Sequence, residues 1–503
     1  NTLSSYGRDI IDAITLIILT PFIIQMLGRE QFGLWSLLWA FLNLLTLIDM
    51  GFGNSVVKFV ADAKGKGDMN RQQSIIATLF WIYVGLGGVL MLCVLGGMLF
   101  FNQIFNIPPE YHEKARMVLV ILGLRSALTM PFGMFRGVLI GHQKMKVANG
   151  YKILAALAYF VSVLIFLRWI PSLRMLALLN MVGGVAPMVA MLVHAKATLP
   201  GISLHPKFFN RSVVKEVSSF SMYFMLIHVS TLIATKVDAM IIQTFMMLEM
   251  VAVYTIAMRL SEKGQQFCFQ LVKTLTPVVA ELHGAGDHEN IRAVWQRGTK
   301  ITVAFAAPLL IGLILLAEPL IRAWVGSEFE EDQIMLATYA CRWLAGAAMV
   351  MVIHGNTANI LSMQGHQKFL AFSLIGGQLL NLALTITMIG PLGLEGVAMA
   401  TLISAGISQL FIQHRAGKIH NYSLGKFYQQ TLIPCIVPVV LMALAFHVVQ
   451  TFYTLTNLFE VAMLEIIGVM LFALVFWFIG FTENERDYFK KRILRKLSHK
   501  KRS

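Results

Sequence analysis

Charge is what this chain has least of. Only 13% of its 503 residues are Asp, Glu, Lys or Arg, about half the share in a soluble domain, while 57% are apolar. A water-soluble globular protein is excluded. Acids are scarcer than bases, 26 against 41, which leaves a formal net charge of +15. Such a balance suggests nucleic acid when the bases gather in one patch with aromatics between them. Here they sit in short loops between apolar runs, so no nucleic-acid partner is expected and membrane topology explains them. The four cysteines, Cys93, Cys268, Cys341 and Cys435, lie far apart inside apolar runs and read as small core residues rather than a disulfide or metal set. The chain has no HExxH, no Walker loop and no GxGxxG after a strand. No cofactor, metal or nucleotide is expected, and no enzymatic chemistry. No cleavage-site pattern follows the first apolar run, so that run is expected to remain as a span.

What is present is a series of apolar runs. A helix needs about 20 apolar residues to cross hydrocarbon, and about fourteen such runs lie between residues 5 and 481. Every second loop holds most of the cations, as in Lys64, Lys66 and Arg71, then Lys207, Arg211 and Lys215, then Arg292, Arg297 and Lys300. The positive-inside rule makes those loops cytoplasmic and places both termini there, with the basic stretch 490–502 as an anchor.

The chain also repeats itself. ADAKGKGD (61–68) ends one long apolar stretch and AELHGAGD (280–287) ends another. GHQK occurs at 141–144 and again at 365–368. Two matches at nearly one offset argue for duplication. With six helices per copy, the copies enter the membrane in the same orientation and form a parallel repeat, the kind of transporter that holds its substrate between its halves. The expected divisions are a six-helix lobe over 1–200, a cytoplasmic linker over 201–216, a second lobe over 217–428, two extra helices over 429–481 and a basic tail over 482–503.

The run LGREQFGLWSLL (27–38), the DMGFGNSVVKFVADAKGKGD that follows it (49–68), the GHQK loops and the six-plus-six-plus-two layout resemble the polysaccharide transporter family. That family holds the lipid-linked oligosaccharide and O-antigen flippases of lipopolysaccharide biosynthesis, within the multidrug/oligosaccharidyl-lipid/polysaccharide flippase superfamily. The resemblance implies an all-α protein with a V-shaped pair of bundles around a central cationic cavity. It also implies a functional monomer in a cell inner membrane that turns a polyprenyl-diphosphate-linked glycan to the outer leaflet by alternating access, and a glycan polymerase as a partner.

The residues can be asked separately whether they suit that task. A charge inside a span is a functional candidate by default. At 1.5 Å of rise per residue, Arg125, Lys236, Arg259 and Arg342 fall roughly 13 to 17 Å below the outer boundary, near the midplane. Lys263 lies one turn from Arg259 on the same face. Two carboxylates, Asp238 and Glu262, accompany these five cations, so the midplane is net positive, as a pyrophosphate would need. Closed ion pairs, such as Glu262 with Arg259, are the competing reading. Nearer the cytoplasm, Arg8, Asp12, Asp49 and Lys58 are candidates for an inner gate or coupling site. Asn43, Asn356, Asn359, Gln378 and Asn381 suit either sugar contacts or, more simply, bonds between helices. His228 and His354 read as satisfied core histidines. A cation-coupled drug extruder of the same fold would need an acid-lined cavity. A polyprenyl-linked glycosyltransferase or polymerase would need a larger outer loop than 102–113.

Overall fold

Hydrocarbon offers no water to a backbone N–H or C=O, so an apolar chain must satisfy these groups internally. A computed structural model describes residues 2–45, 52–198, 202–218, 237–483 and 485–487; the side chains of residues 2–13 and 52–55, of Lys58 and of a few scattered others lie outside the description. Among the described residues every regular element is helical. The helices are α1 (Thr2–Leu27), α2 (Arg29–Leu45), α3 (Phe52–Gly65), α4 (Met69–Ile104), α5 (His112–Gly141), α6 (Met145–Trp169) and α7 (Leu173–Thr198). After helical residues 211–218 and 237–245 come α8 (Leu248–Gly284), α9 (His288–Leu315), α10 (Ala317–Val325), α11 (Glu331–Met363) and α12 (Gln367–Ile419). The last are α13 (Leu424–Thr431), α14 (Ile433–Phe452) and α15 (Leu458–Ile479).

Nine helices among the described residues are long and apolar enough to cross a membrane, against the fourteen or so runs read from sequence. Part of the difference lies in residues outside the description, which leave only Ile14–Leu27 of α1 to be counted. α2 and α3 are described on either side of residues 46–51, and neither alone is counted as a span. Part is also in α12, whose 53 residues count once although they are two helices meeting at Gly393, with φ +57° and ψ −139°. At 1.5 Å per residue a straight helix of that length would reach about 80 Å, more than twice the hydrocarbon thickness. The break at Gly393 divides α12 into two helices of span length.

The chain forms two compact units, Asn1–Thr255 and Ile256–Ser503. In the first, α5 packs on α3, α4 and α7, and α1 on α6, around Val56, Val60, Phe135, Val138, Leu139 and Met191. Residues 202–216, expected as a bridge between lobes, are strapped along α4. Trp81 Nε1 donates to the Leu204 carbonyl at 2.9 Å, Ser74 Oγ to that of Phe208 at 3.1 Å, and the Asn210 N–H to Thr78 Oγ1 at 2.9 Å. Arg71 pairs with Glu216 at 3.0 Å.

In the second unit α11 packs against α9 and α12, and the α14–α15 hairpin lies on α9 through an apolar cluster that includes Val303, Ala307, Met442, Phe446, Val461 and Phe472. This hairpin has no counterpart in the duplication. Past its end, Lys300 of α9 donates to Glu485 at 2.7 Å and lies over the Phe481 ring. Burial alone would raise the Glu485 carboxyl, but the bonds from Lys300 and the Thr482 N–H prevail and hold it below its usual range. A carboxylate so depressed stabilises the fold above its unfolded pKa, and that contribution fades as pH falls through the folded value. Lys300→Met is therefore expected to lower the melting temperature at neutral pH, with the gap from native narrowing below about pH 4. A constant gap across that range would remove the ion pair from the account.

The duplication is visible in the backbone. Gly67 and Gly286 both hold φ +70°, a conformation glycine adopts without penalty. The next residue caps the following helix in each copy, Asp68 accepting from the Arg71 N–H at 2.8 Å and Asp287 from the Asn290 N–H at 3.1 Å. The GHQK match fares differently. The left-handed residue of that turn is Gln143 in the first copy and Gly365 in the second, so the structural repeat is out of register with the sequence match. In the first copy His142 meets the Gln72 amide. Burial, then the charges of Lys64 and Lys144, push its imidazole below the usual value.

Candidate functional site

Arg125 sits near the middle of α5. Three helices shape its surroundings. Its Nε donates to the Asn180 carbonyl of α7 at 3.2 Å, and its guanidinium lies over the Trp39 ring of α2 at 4.8 Å. Gly184 makes the space on α7, since a Cβ there would overlap the guanidinium. Among the described residues no carboxylate pairs with Arg125, and nothing accepts from its two η nitrogens, which are not sealed from the surroundings. An arginine fixed by one nitrogen and a ring, with its fork unspent, is preorganised for a planar oxyanion.

Arg342, in the first half of α11, is held in the same manner. Its Nε donates to the Ile314 carbonyl of α9 at 3.3 Å and its guanidinium lies 5.7 Å from the Tyr339 ring centre. It too has no carboxylate partner among the described residues.

Arg259 lies in the first half of α8. Ser261, whose Oγ reaches the Cys341 carbonyl at 3.5 Å, and Gln265, which touches Met351, mark the α8 face packed on α11. At 100° per residue Arg259 and Lys263 lie about 160° around the helix from Ser261 and about 40° from each other. They share a face turned away from α11, as the one-turn spacing predicts. Arg342 turns toward α9 at Ile314. Lys263 reaches Gln266 Oε1 at 3.4 Å, and Glu262 is half-buried on the same helix.

Asp238 is buried at 2% exposure and accepts from the Tyr254 hydroxyl at 2.6 Å, a contact within the first unit. Lys236 and Asp49 lie outside the described residues. Arg8 and Asp12 fall on α1 and Lys58 on α3, with their side chains outside the description. His228 is likewise outside it. His354 is the satisfied core histidine expected, bonded to the Val350 carbonyl at 2.8 Å and the Tyr428 hydroxyl at 2.9 Å.

The neutral polar candidates resolve toward bonds between helices. Asn356 donates to Thr302 at 2.9 Å, Asn359 to the Val272 carbonyl at 3.4 Å, and Asn381 to Thr401 across the two halves of α12 at 3.2 Å. Gln378 is half-buried. Three cysteines are buried and unbridged as expected, whereas Cys93 is exposed on α4.

The sequence reading missed two features. One end of the first unit is tied together: Tyr111 bonds Glu30 at the head of α2, Gln243 donates to the Phe105 carbonyl at 2.8 Å, and Asn106 to that of Thr244 at 3.4 Å. The second is Glu465, an acid within α15 whose carboxylate oxygens are buried with no hydrogen-bond partner among the described residues. Its signal was present, since an acid well inside an apolar run is the same anomaly that singled out Arg125.

A sequence model of the polysaccharide biosynthesis protein family matches residues 1–283, more than half of the chain. The chain belongs to that family. A second model, for the MatE family, matches residues 225–387, which sets this polysaccharide biosynthesis protein within the superfamily of multidrug, oligosaccharidyl-lipid and polysaccharide transporters. The uncharacterized membrane protein EpsK of Bacillus subtilis (strain 168) is 21% identical over 392 residues, 77% of this chain and 76% of EpsK. The probable low-salt glycan biosynthesis flippase Agl15 of Haloferax volcanii is 23% identical over 206 residues, 41% of each protein. Among solved structures, the lipid II flippase MurJ in an inward closed conformation matches with a TM-score of 0.71 at 14% identity, over 94% of this chain and 97% of that one. At that identity the likeness is one of fold. The chain is therefore an all-helical, multi-pass membrane protein of MurJ-like fold.

Proposed function

We propose that the protein is a flippase for a polyprenyl-diphosphate-linked oligosaccharide or polysaccharide repeat unit, moved from the cytoplasmic to the outer leaflet by alternating access. In this reading it works as a monomer in the cell inner membrane with both termini cytoplasmic. Arg125, Arg259, Lys263 and Arg342, with Lys236, meet the diphosphate and any acidic sugar. Asp238 and Glu262 set the local charge, and Asp49 with Arg8, Asp12 or Lys58 closes the cytoplasmic side. No bond is made or broken in such a cycle, so binding and release are the whole of the chemistry.

The observation that carries this reading is the Arg125 guanidinium, inside a span, with its Nε and one face engaged and its η nitrogens unspent. A cation inside a span is costly unless something anionic completes it, and a diphosphate presents oxygens that a guanidinium fork fits. Family membership and the glycan flippase Agl15 among the relatives support the same substrate class. The competing reading, a cation-coupled drug extruder, draws its support from the MatE match over 225–387.

Purified protein in liposomes is expected to move a fluorescent polyprenyl-diphosphate glycan between leaflets faster than protein-free vesicles do. Absence of that movement, together with uptake of a cationic dye against an ion gradient, would hand the assignment to the extruder.

A further inference from the structure

The second acid at the α14–α15 hairpin stands apart from the ion-paired Glu485. Glu465 lies in the first half of α15, and both carboxylate oxygens are buried with no hydrogen-bond partner among the described residues. Its carboxyl group rests on Gly312 of α9, where a Cβ would overlap both oxygens. The socket is therefore shaped for this side chain by the absence of another. The seam between the hairpin and α9 is apolar: Val461 and Leu464 on α15, Met442 and Phe446 on α14, and Ile311, next to Gly312 on α9, belong to one cluster.

The charged and titratable groups on every packed element are engaged elsewhere or remote. On α9 the nearest along the chain is Lys300, several turns from Gly312 and bonded to Glu485; Arg297 and Arg292 lie further toward the helix start. On α10, Arg322 is held by Glu318 and Glu331 at 3.2 and 2.5 Å. On α14, His447 is exposed and Cys435 is buried against the Thr431 carbonyl. On α15 itself, Glu460 is bound by the Thr456 N–H, Tyr453 and Asn457. Arg342 reaches the same end of α9, but at Ile314, about 200° around that helix from Gly312.

We propose that Glu465 is a proton-binding site, occupied when the α14–α15 hairpin is docked on α9. An ionised carboxylate in an apolar socket without a cation or a donor is expensive, and the neutral acid removes most of that cost. A metal cation does not suit the socket. Such ions require several oxygen ligands, and the facing backbone at Gly312 lies inside a helix, where its carbonyl is already bonded. The proton is the ligand that fits. This site is independent of the proposed substrate.

The test is infrared difference spectroscopy on the full chain in lipid at neutral pH, native against Glu465→Gln. The carbonyl-stretch band of a protonated carboxylic acid is expected in the native protein and should lose one residue's worth of intensity in the variant. Unchanged intensity means the acid is ionised when docked and overturns the proposal. Should Glu465→Gln fail to accumulate, Glu465→Asp keeps the acid on a shorter arm and is expected to shift the band. A band that Glu465→Asp leaves unmoved overturns the proposal equally.

Discussion

Arg125→Ala is expected to cut glycan movement in liposomes by tenfold to a hundredfold while the protein still inserts and elutes as a single folded species. Hydrogen bonds to a charged group are worth about 1.5–3 kcal/mol each, and every 1.4 kcal/mol or so is a factor of ten. Loss of one such bond to a diphosphate therefore gives a fall of that size. The substitution also removes the Nε bond to the Asn180 carbonyl and the contact with Trp39, so a modest fall in melting temperature accompanies it. Arg125→Lys separates the two contributions. It keeps the charge but neither the fork nor the ring contact, and should recover only part of the activity. Full activity in Arg125→Ala would make this residue a packing element, and full recovery by lysine would mean that charge alone is read.

Gly393→Ala should produce a large structural defect for a single added methyl. With φ +57° and ψ −139°, Gly393 occupies a region that side chains avoid, and holding another residue there costs on the order of 1–3 kcal/mol. Pro391 lies just upstream, and Gly396 packs so tightly on the Met388 carbonyl that a Cβ would overlap it, so the corner has little room to relax. Gly390 is the control. Its surroundings are open, and Gly390→Ala should be neutral or stabilising by up to about 1 kcal/mol, the helix preference for alanine. Melting curves in detergent check both. Equal melting temperatures for native and Gly393→Ala would show that the corner adapts.

Local chemistry in this chain was readable from sequence, and orientation was not. The ends of the two repeats, Asp68 and Asp287 after their glycines, could be read because caps and left-handed turns are decided within a few residues. The GHQK match misled because four identical residues do not fix where a helix ends; Gln143 turns the chain in one copy and Gly365 in the other. Charges in spans could be found by composition alone, which is how Arg125, Arg259 and Arg342 were singled out. Their directions could not. Helices apolar on all sides carry no stripe to say which face meets which neighbour, so nothing in the sequence sent Arg342 to the Ile314 carbonyl or set Gly184 opposite Arg125. Glu465 could be found by the same test, but its socket could not, because that socket is an absence, the missing Cβ of a glycine far upstream on another helix.

That absence binds two positions into one heritable unit. A lineage that replaced Gly312 with alanine would first have to lose the acid at 465, and one that lost the acid would leave a void that a larger residue at 312 could fill. Among descendants of a common ancestor the two positions should change together, glycine with glutamate in some and a bulkier residue with a short apolar one in others. The mixed pair, a side chain at 312 beside a glutamate at 465, should be the rare combination.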